Sequence, residues 1–255
     1  MHICVCVKRV PLTGGKITLT DDQRALSTKH LGFTVSPHEE CGVEEAVQIV
    51  EREGGSVTVL TLGPAEAEEQ LRDMMAIGAD RAIHLLTDGE EWDPQATAAA
   101  IVAAIRADEQ PYDLILFGNE SADAGNYQVA IRVAHALGMP AVTGVKAISI
   151  DSDPAHPRAV CEQEVAGGRD IYELALPAVV SVKEGINLPR YPSVPGRLRA
   201  KRKPLEASNP ERPAGQLEMV KLVLPPDSGK QVQVLGTGAD AAPAVVAVLS
   251  ELGVL

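Results

Sequence analysis

Aromatic side chains are scarce in this 255-residue sequence: two Phe, four Tyr and one Trp, 3% of the whole. Modules that bind single-stranded nucleic acid stack bases on exposed rings, so that class is disfavoured. Basic residues are also in deficit, 23 against 35 acids, for a formal charge of −12. Such a field repels phosphate polymers and anionic bilayers and argues against nonspecific binding to either. Long apolar runs are missing; none approaches the roughly 18 residues of a membrane span. The short apolar start, MHICVCVKRVP, reads as a buried strand and not as a signal peptide. The four cysteines, Cys4, Cys6, Cys41 and Cys161, form no C-x-x-C pair. Reduced thiols in a cytoplasmic chain are therefore expected.

What is present is a 45% apolar, 23% charged composition, ordinary for a globular protein and ample for a core. Apolar periodicity predicts strands at 2–7, 56–62, 81–86 and 112–117, with a short one at Lys16–Leu19. Helices are predicted over 39–53, 65–77, 94–107 and 127–137. This alternation calls for a parallel sheet with helices on both faces. Strands then follow one another at 142–150, 158–165, 170–174 and 178–182, with Gly167-Gly168 at a hairpin turn, and are expected to extend the sheet or cover its edge. The segment 190–203, RYPSVPGRLRAKRK, has six basic residues and no acid and reads as an exposed arm. Residues 209–225 are polar and dotted with proline, and 241–252 is again apolar at helical spacing. The division expected is an α/β domain over 1–186, a loop and basic segment over 187–206, and a C-terminal arm and helix over 207–255.

The most informative stretch is LILFGNESADAGNYQVAIRVAHALG, residues 114–138. A strand ends at Gly118, small and polar residues follow, and a helix begins. Ligands of open parallel sheets sit beyond the carboxyl ends of strands, and free N–H groups at a helix start attract anions. Gly118, Ser121, Ala122, Ala124 and Gly125 are small enough for a phosphate to approach the backbone. The plainer reading is a βα loop with Asn126 as N-cap. The strand ends at Val7–Pro11 and Leu62–Pro64 would face the same crevice, where Lys8 and Arg9 could neutralise an anion. Gly236–Ala241 fits G-x-G-x-x-A after a strand-like QVQVL, but the second strand and later acid of a dinucleotide site are missing, so a turn and helix cap are preferred. Cys4, Cys6 and His2 share one strand face, yet no ligand set with metal spacing completes them. Ser121 and Asp123 lack a nucleophile elbow, and no phosphate-binding P-loop is present. A hydrolase or adenylating enzyme on such a sheet therefore lacks its machinery.

Taken in order, MHICVCVKRVP, EECGVEEAVQIVE, TVLTLGPAEAEEQLRDMMAIGADRAIHL, LILFGNESADAGNYQ, LPAVVSV and INLPRYPSVPGRLRAKRKPLE resemble the β subunit of electron transfer flavoproteins over roughly residues 1–206. The resemblance implies a Rossmann-like fold with a C-terminal arm. It also implies a carrier in place of a self-sufficient enzyme. Such a subunit forms a heterodimer with an α subunit that holds most of an FAD. It carries electrons from acyl-CoA dehydrogenases of fatty acid β-oxidation, or from others, to a quinone oxidoreductase or another acceptor. It implies a buried AMP, or in bifurcating members a second FAD. The matching nucleotide residues are Cys6, Ser36, Pro37, His38, Glu39, Leu62, and the run Gly118, Asn119, Glu120, Ser121, Ala122, Asp123, Ala124, Gly125, Asn126, Tyr127, Gln128 and Val129. The loop 190–199 would recognise the dehydrogenase through Arg190, Tyr191, Leu198 and Arg199, with Val194 at the aliphatic anchor. Glu164 would face the α subunit near the flavin. Neither nucleic acid nor direct membrane insertion is implied. Ser36-Pro-His38-Glu39-Glu40 departs from the N-P-F-D/C-E of many members. Gly125 adds room, as second-flavin members also do, but Tyr127 adds bulk where they are small, so the balance favours AMP; Thr13 stands where some members place a tyrosine over the flavin. A nucleotide-sensing module would share the first 140 residues but lack the arm.

Overall fold

The computed structural model describes residues 1–12, 14, 17–153, 155–214, 217–226 and 232–255. The chain divides into two units, one of residues 1–18 and 26–219, the other of 19–25 and 220–255.

In the first unit, nine strands of the described residues form one sheet in the order β11-β5-β4-β1-β6-β10-β7-β8-β9. These are β1 (His2–Cys6), β4 (Ser56–Gly63), β5 (Arg81–Leu86), β6 (Leu114–Gly118), β7 (Ala141–Asp151), β8 (Arg158–Val165), β9 (Gly168–Ala175), β10 (Ala178–Val182) and β11 (Leu205–Ser208). The pairings from β11 to β7 are parallel; β7–β8 and β8–β9 are antiparallel. The protein is thus an α/β structure with a parallel-centred sheet. The late strands do extend that sheet, with β10 inserted between β6 and β7. A separate two-stranded ribbon pairs β2 (Arg9–Pro11) with β3 (Phe33–Val35). These strands are too short to show a period in sequence. No strand forms at Ile17–Leu19 among the described residues, and Lys16 and Thr13 lie outside them.

Alternate residues of each buried strand feed two cores. Ile3, Val5, Leu114 and Leu116 pack toward α1 (Pro37–Glu53) and α2 (Glu68–Ile77). Cys4, Cys6, Ile115 and Phe117 pack toward α3 (Pro94–Ala107) and α4 (Val129–Leu137). A strand buried on both faces reads as a continuous apolar run, as VTVL and LILF do. Pro37 opens α1 with its φ already helical, and Glu39 and Glu40 in its first turn complement the helix dipole. Asp93 caps α3 by accepting from the N–H groups of Gln95 and Ala96.

Several boundaries differ from expectation. The fourth helix begins at Val129, with Gln128 and not Asn126 at its N-cap. Tyr127 holds a left-handed φ of 55°, which cannot continue into a helix. The β8–β9 turn comprises Ala166 and Gly167, one residue earlier than Gly167-Gly168, because Gly167 takes the positive φ of 83° that the turn requires. Part of the basic segment is helical: α5 (Val194–Ala200) starts with Pro195 in its first turn, and the Ser193 hydroxyl accepts from the N–H of Gly196.

In the second unit, the N–H of Leu222 donates to the carbonyl of Gln23 at 2.7 Å. Gly238, at φ 65°, leads through a short turn into α6 (Ala242–Glu251), none of whose residues is buried. Gln231 of the strand-like QVQVL lies outside the described residues, and 232–235 form no strand.

Candidate functional site

Chain order sets where a ligand can sit. From β1 the chain passes outward to β4 and β5, then returns across β1 to form β6 on its other side. Between β1 and β6 the loops diverge to opposite faces, which opens a crevice at the carboxyl ends of the strands. The loop after β6 borders this crevice. A cavity of about 410 Å³ there is lined by Ser36, Pro37, His38, Glu120, Ser121, Ala122, Asp123, Ala124, Gly125 and Glu184.

Each wall has a local cause. Gly118 ends β6 against the first turn of α1; a Cβ there would lie 2.6 Å from Glu39 Cγ and 3.1 Å from Glu39 N. Only glycine lets strand and helix approach this closely. The Ser36 hydroxyl donates not to its own helix but across to the carbonyl of Glu120 at 3.3 Å. The N–H of Asn119 donates to the carbonyl of Val182, and Asn119 Oδ1 accepts from the Ser181 hydroxyl. Glu184 N–H donates to His38 Nδ1 at 2.8 Å, so the neutral ring carries its proton on Nε2, 3.6 Å from Glu120 Oε1. Gly125, at φ 54°, turns the loop, and its N–H donates to the carbonyl of Ser121.

The charges are arranged in layers. Lys8 Nζ sits 2.7 Å from Glu91 Oε1 and 2.8 Å from Asp123 Oδ2. Burial pushes the Asp123 carboxyl up, but the Lys8 ammonium and hydrogen bonds from Lys8, Ser121 and Ala124 outweigh it and hold the group below its ordinary value. Beneath lies Glu39, 6% exposed, with Oε2 accepting from the N–H of Lys8 at 2.8 Å. Burial raises its pKa to about 8 against the opposing pull of Lys8. Lys8 is therefore engaged by two acids and is not a free anion partner. Arg9 stacks its guanidinium on the Phe33 ring at 3.3 Å. Glu120 and Glu184 leave the rim acidic.

Of the eighteen residues matched for the nucleotide, the structure gathers Ser36, Pro37, His38 and Glu120–Gly125 around the cavity. Glu39 and Gly118 lie behind that wall. Cys6, the last residue of β1, and Leu62, one residue before the end of β4, lie on the other face, against the α3–α4 core, where burial raises the Cys6 thiol well above its ordinary value. Asn126, Tyr127 and Gln128 lead away from the cavity into α4. Tyr127 is half exposed, and Gln128 Oε1 accepts from its neighbour Arg132. Glu184 had no sequence signal: it follows β10 and reaches the site only because β10 inserts beside β6. Among the described residues, no group of three or more His, Cys, Asp or Glu side chains could hold a metal ion.

The second exposed region is the arm. Tyr191 is 96% exposed, Val194 74% and Leu198 60%, whereas Arg190 is turned inward onto Glu44 and Glu51. Arg199 is exposed. Glu164 lies exposed at the β8–β9 turn, opposite Arg169. No helix among the described residues is long and apolar enough to cross a membrane.

The profile of the electron transfer flavoprotein domain matches residues 25–213. The electron transfer flavoprotein subunit beta of Bacillus subtilis (strain 168) is 32% identical over 98% of this chain and 97% of its own. That of Syntrophomonas wolfei is 34% identical over 92% and 90%. That of Mycobacterium leprae is 38% identical over 79% and 76%. With the sheet order, the loop after β6 and similarity running through both, the chain belongs to the electron transfer flavoprotein family, as a β subunit.

Proposed function

We propose that this chain pairs with an α subunit in the cytoplasm and forms half of an electron carrier. The carrier runs between dehydrogenases, those oxidising acyl-CoA among them, and a quinone oxidoreductase or comparable acceptor. An FAD held mainly by the α subunit supplies the chemistry, storing one or two electrons. The observation that carries this reading is the cavity at the β1–β6 crossover, on a chain similar to its relatives from end to end.

The residues present fit one adenine nucleotide. Ser121, Ala122, Ala124 and Gly125 let a ligand reach the backbone, and Glu120 and Glu184 supply acceptors for sugar hydroxyls or an exocyclic amine. A phosphate would avoid those carboxylates and point out of the cavity, toward the N–H groups at the start of α4. Ser36, Pro37 and His38 would form the opposite wall, and Glu39, Gly118 and Asn119 would support it. Cys6, Leu62 and Asn126–Val129 would serve as its borders. A volume of about 410 Å³ suits AMP better than the two joined nucleotides of a second FAD. In this reading the nucleotide is a structural core, Glu164 faces the α subunit, and the 190–199 segment meets the dehydrogenase through Val194, with Tyr191, Leu198 and Arg199 around it. The domain roles follow: residues 1–186 bind nucleotide, 187–206 recognise the donor, and 207–255 pack on the α subunit.

Extraction of bound nucleotides from the co-expressed heterodimer tests this. One FAD and one AMP per dimer is the expected result. Two FAD would mark a bifurcating carrier, and a colourless monomer that turns over ATP would overturn the electron-transfer reading.

A further inference from the structure

The 187–203 segment has its tips in solvent and both of its ends tied down. At the first end, Arg190 lies along α1. Its N–H donates to Glu44 Oε2 at 3.1 Å, Nε to the same oxygen at 2.9 Å, and Nη2 to Glu44 Oε1 at 2.9 Å. The same guanidinium donates to both Glu51 oxygens, at 2.7 and 3.0 Å. Three residues earlier, Asn187 Nδ2 donates to the carbonyl of Cys41 and to Glu45 Oε2, both at 3.0 Å.

At the second end, α5 lies on α2. Arg72 Nη1 donates to the carbonyls of Ala200 and Lys203, at 2.9 and 2.8 Å. Lys203 Nζ returns the contact, donating to the carbonyls of Met75 and Ala79. A Cβ on Gly196 would stand 3.0 Å from the carbonyl oxygen of Ala76, so the two backbones are in contact. Helices α1 and α2 pack on the same sheet face, which fixes the span between the ends.

We infer that Arg190 is a positioning residue, which with Glu44 and Glu51 orders the segment that presents Tyr191, Val194 and Leu198 to the partner, and is not itself a partner contact. The inference rests on the reading of 190–199 as the recognition segment. A planar guanidinium shared by two carboxylates, one of them with a nearly sealed side chain, spends four of its five N–H donors on them and leaves a single Nη1 hydrogen for an outside surface. Three apolar tips with little support beneath them would otherwise sample many arrangements, and that freedom would be lost on docking. An ordered segment carries less of that cost.

The test uses the co-expressed heterodimer. The double variant Glu44→Gln/Glu51→Gln keeps side-chain shape and removes both charges. Arg190→Lys keeps the charge and loses the fork. Amide exchange of a peptide spanning 188–200 should speed up about tenfold in both, with flavin absorbance and bound nucleotide unchanged. Reduction by an acyl-CoA dehydrogenase charged with its acyl-CoA should show a raised KM for the carrier and an unchanged kcat. Wild-type exchange in both variants would overturn the clamp. So would a raised KM in Arg190→Ala that the double glutamine variant does not reproduce, since Arg190 would then be touching the partner. Val194→Asp separates the two ideas: it should raise KM without altering exchange. If it leaves KM untouched while the clamp variants still release the segment, the recognition reading falls and the ordering stands.

Discussion

Glu39 and Glu44 stand five residues apart on α1 with nearly equal burial, 6% and 2% exposed, yet they are driven in opposite directions. Both are pushed up by desolvation. For Glu39 this prevails: its nearest help is the N–H of Lys8, whose ammonium is engaged by Asp123 and Glu91, and the pKa rises to about 8. For Glu44 it does not: Arg190 and Gln48 donate to the carboxylate and hold it below its ordinary range. The helix thus carries a cleft end whose charges are satisfied inside the wall and an arm end whose charges recruit a distant segment. Burial alone settles neither state; the partner delivered by the fold decides.

The largest effect should come from breaking this contrast with pH. Between about 4.5 and 8 the unfolded Glu39 ionises while the folded one stays protonated, so the native state binds the extra proton and stability falls as pH rises. Each unit of displacement is worth about 1.4 kcal/mol. Glu44 has the opposite sign: its contribution is present above about 4.5 and is lost as pH falls below it. Denaturant unfolding of the heterodimer across pH 5–8 should show a declining stability that Glu39→Gln flattens and Glu44→Gln leaves sloping. Equal slopes in wild type and Glu39→Gln would mean the cleft end behaves like the arm end.

Next in size is the steric wall of the cleft. Gly118→Ala places a methyl 2.6 Å from Glu39 Cγ and against backbone, so strand and helix must separate. A loss of about 1–3 kcal/mol is expected. Bound nucleotide should fall with it, while KM for the donor is spared in whatever fraction stays folded. The arm should show the reverse. Val194 is 74% exposed, so Val194→Asp should change stability by under about 0.5 kcal/mol, yet raise the donor KM about tenfold, with nucleotide content intact. Calorimetry, nucleotide extraction and donor kinetics on the same preparations separate the two patterns.

The sheet core was legible because its strands are buried on both faces and its helices keep a 3.6-residue period, so VTVL, LILF and the Ala-rich 94–107 declare themselves. The loop after β6 was legible because Gly118 and Gly125 punctuate it. The short β2, β3 and β11 were not, for three or four residues carry no period. Nor was the insertion of β10 beside β6, a long-range pairing that brings Glu184 to the cavity. The arm shows most clearly where sequence stops: its six basic residues read as one exposed charge run. Folding assigns Arg190 to α1 and Lys203 to the end of α2, and leaves Arg199 and its neighbours outside.

The smallest effect concerns Tyr127, where cleft and arm meet different demands on an exposed ring. Tyr191 is displayed on a tethered segment, whereas Tyr127 occupies a left-handed conformation at φ 55° beside Gly125 and donates its hydroxyl to Glu120. Left-handed backbone at a residue with a Cβ costs about 1–2 kcal/mol, and glycine removes that cost but widens the unfolded ensemble by about 0.5–1 kcal/mol. Tyr127→Gly should therefore move stability by less than about 1 kcal/mol in either direction. Its informative readout is the nucleotide. If Tyr127 narrows the cavity to a single nucleotide, the glycine variant reconstituted with excess FAD should take up more flavin than wild type. Unchanged AMP and flavin content would assign the selectivity to the wall built by Ser36, Pro37 and His38 instead. That wall is fixed by Gly118 and by the hydrogen bond from Glu184 to His38, so it would not adjust to the loss of one exposed ring.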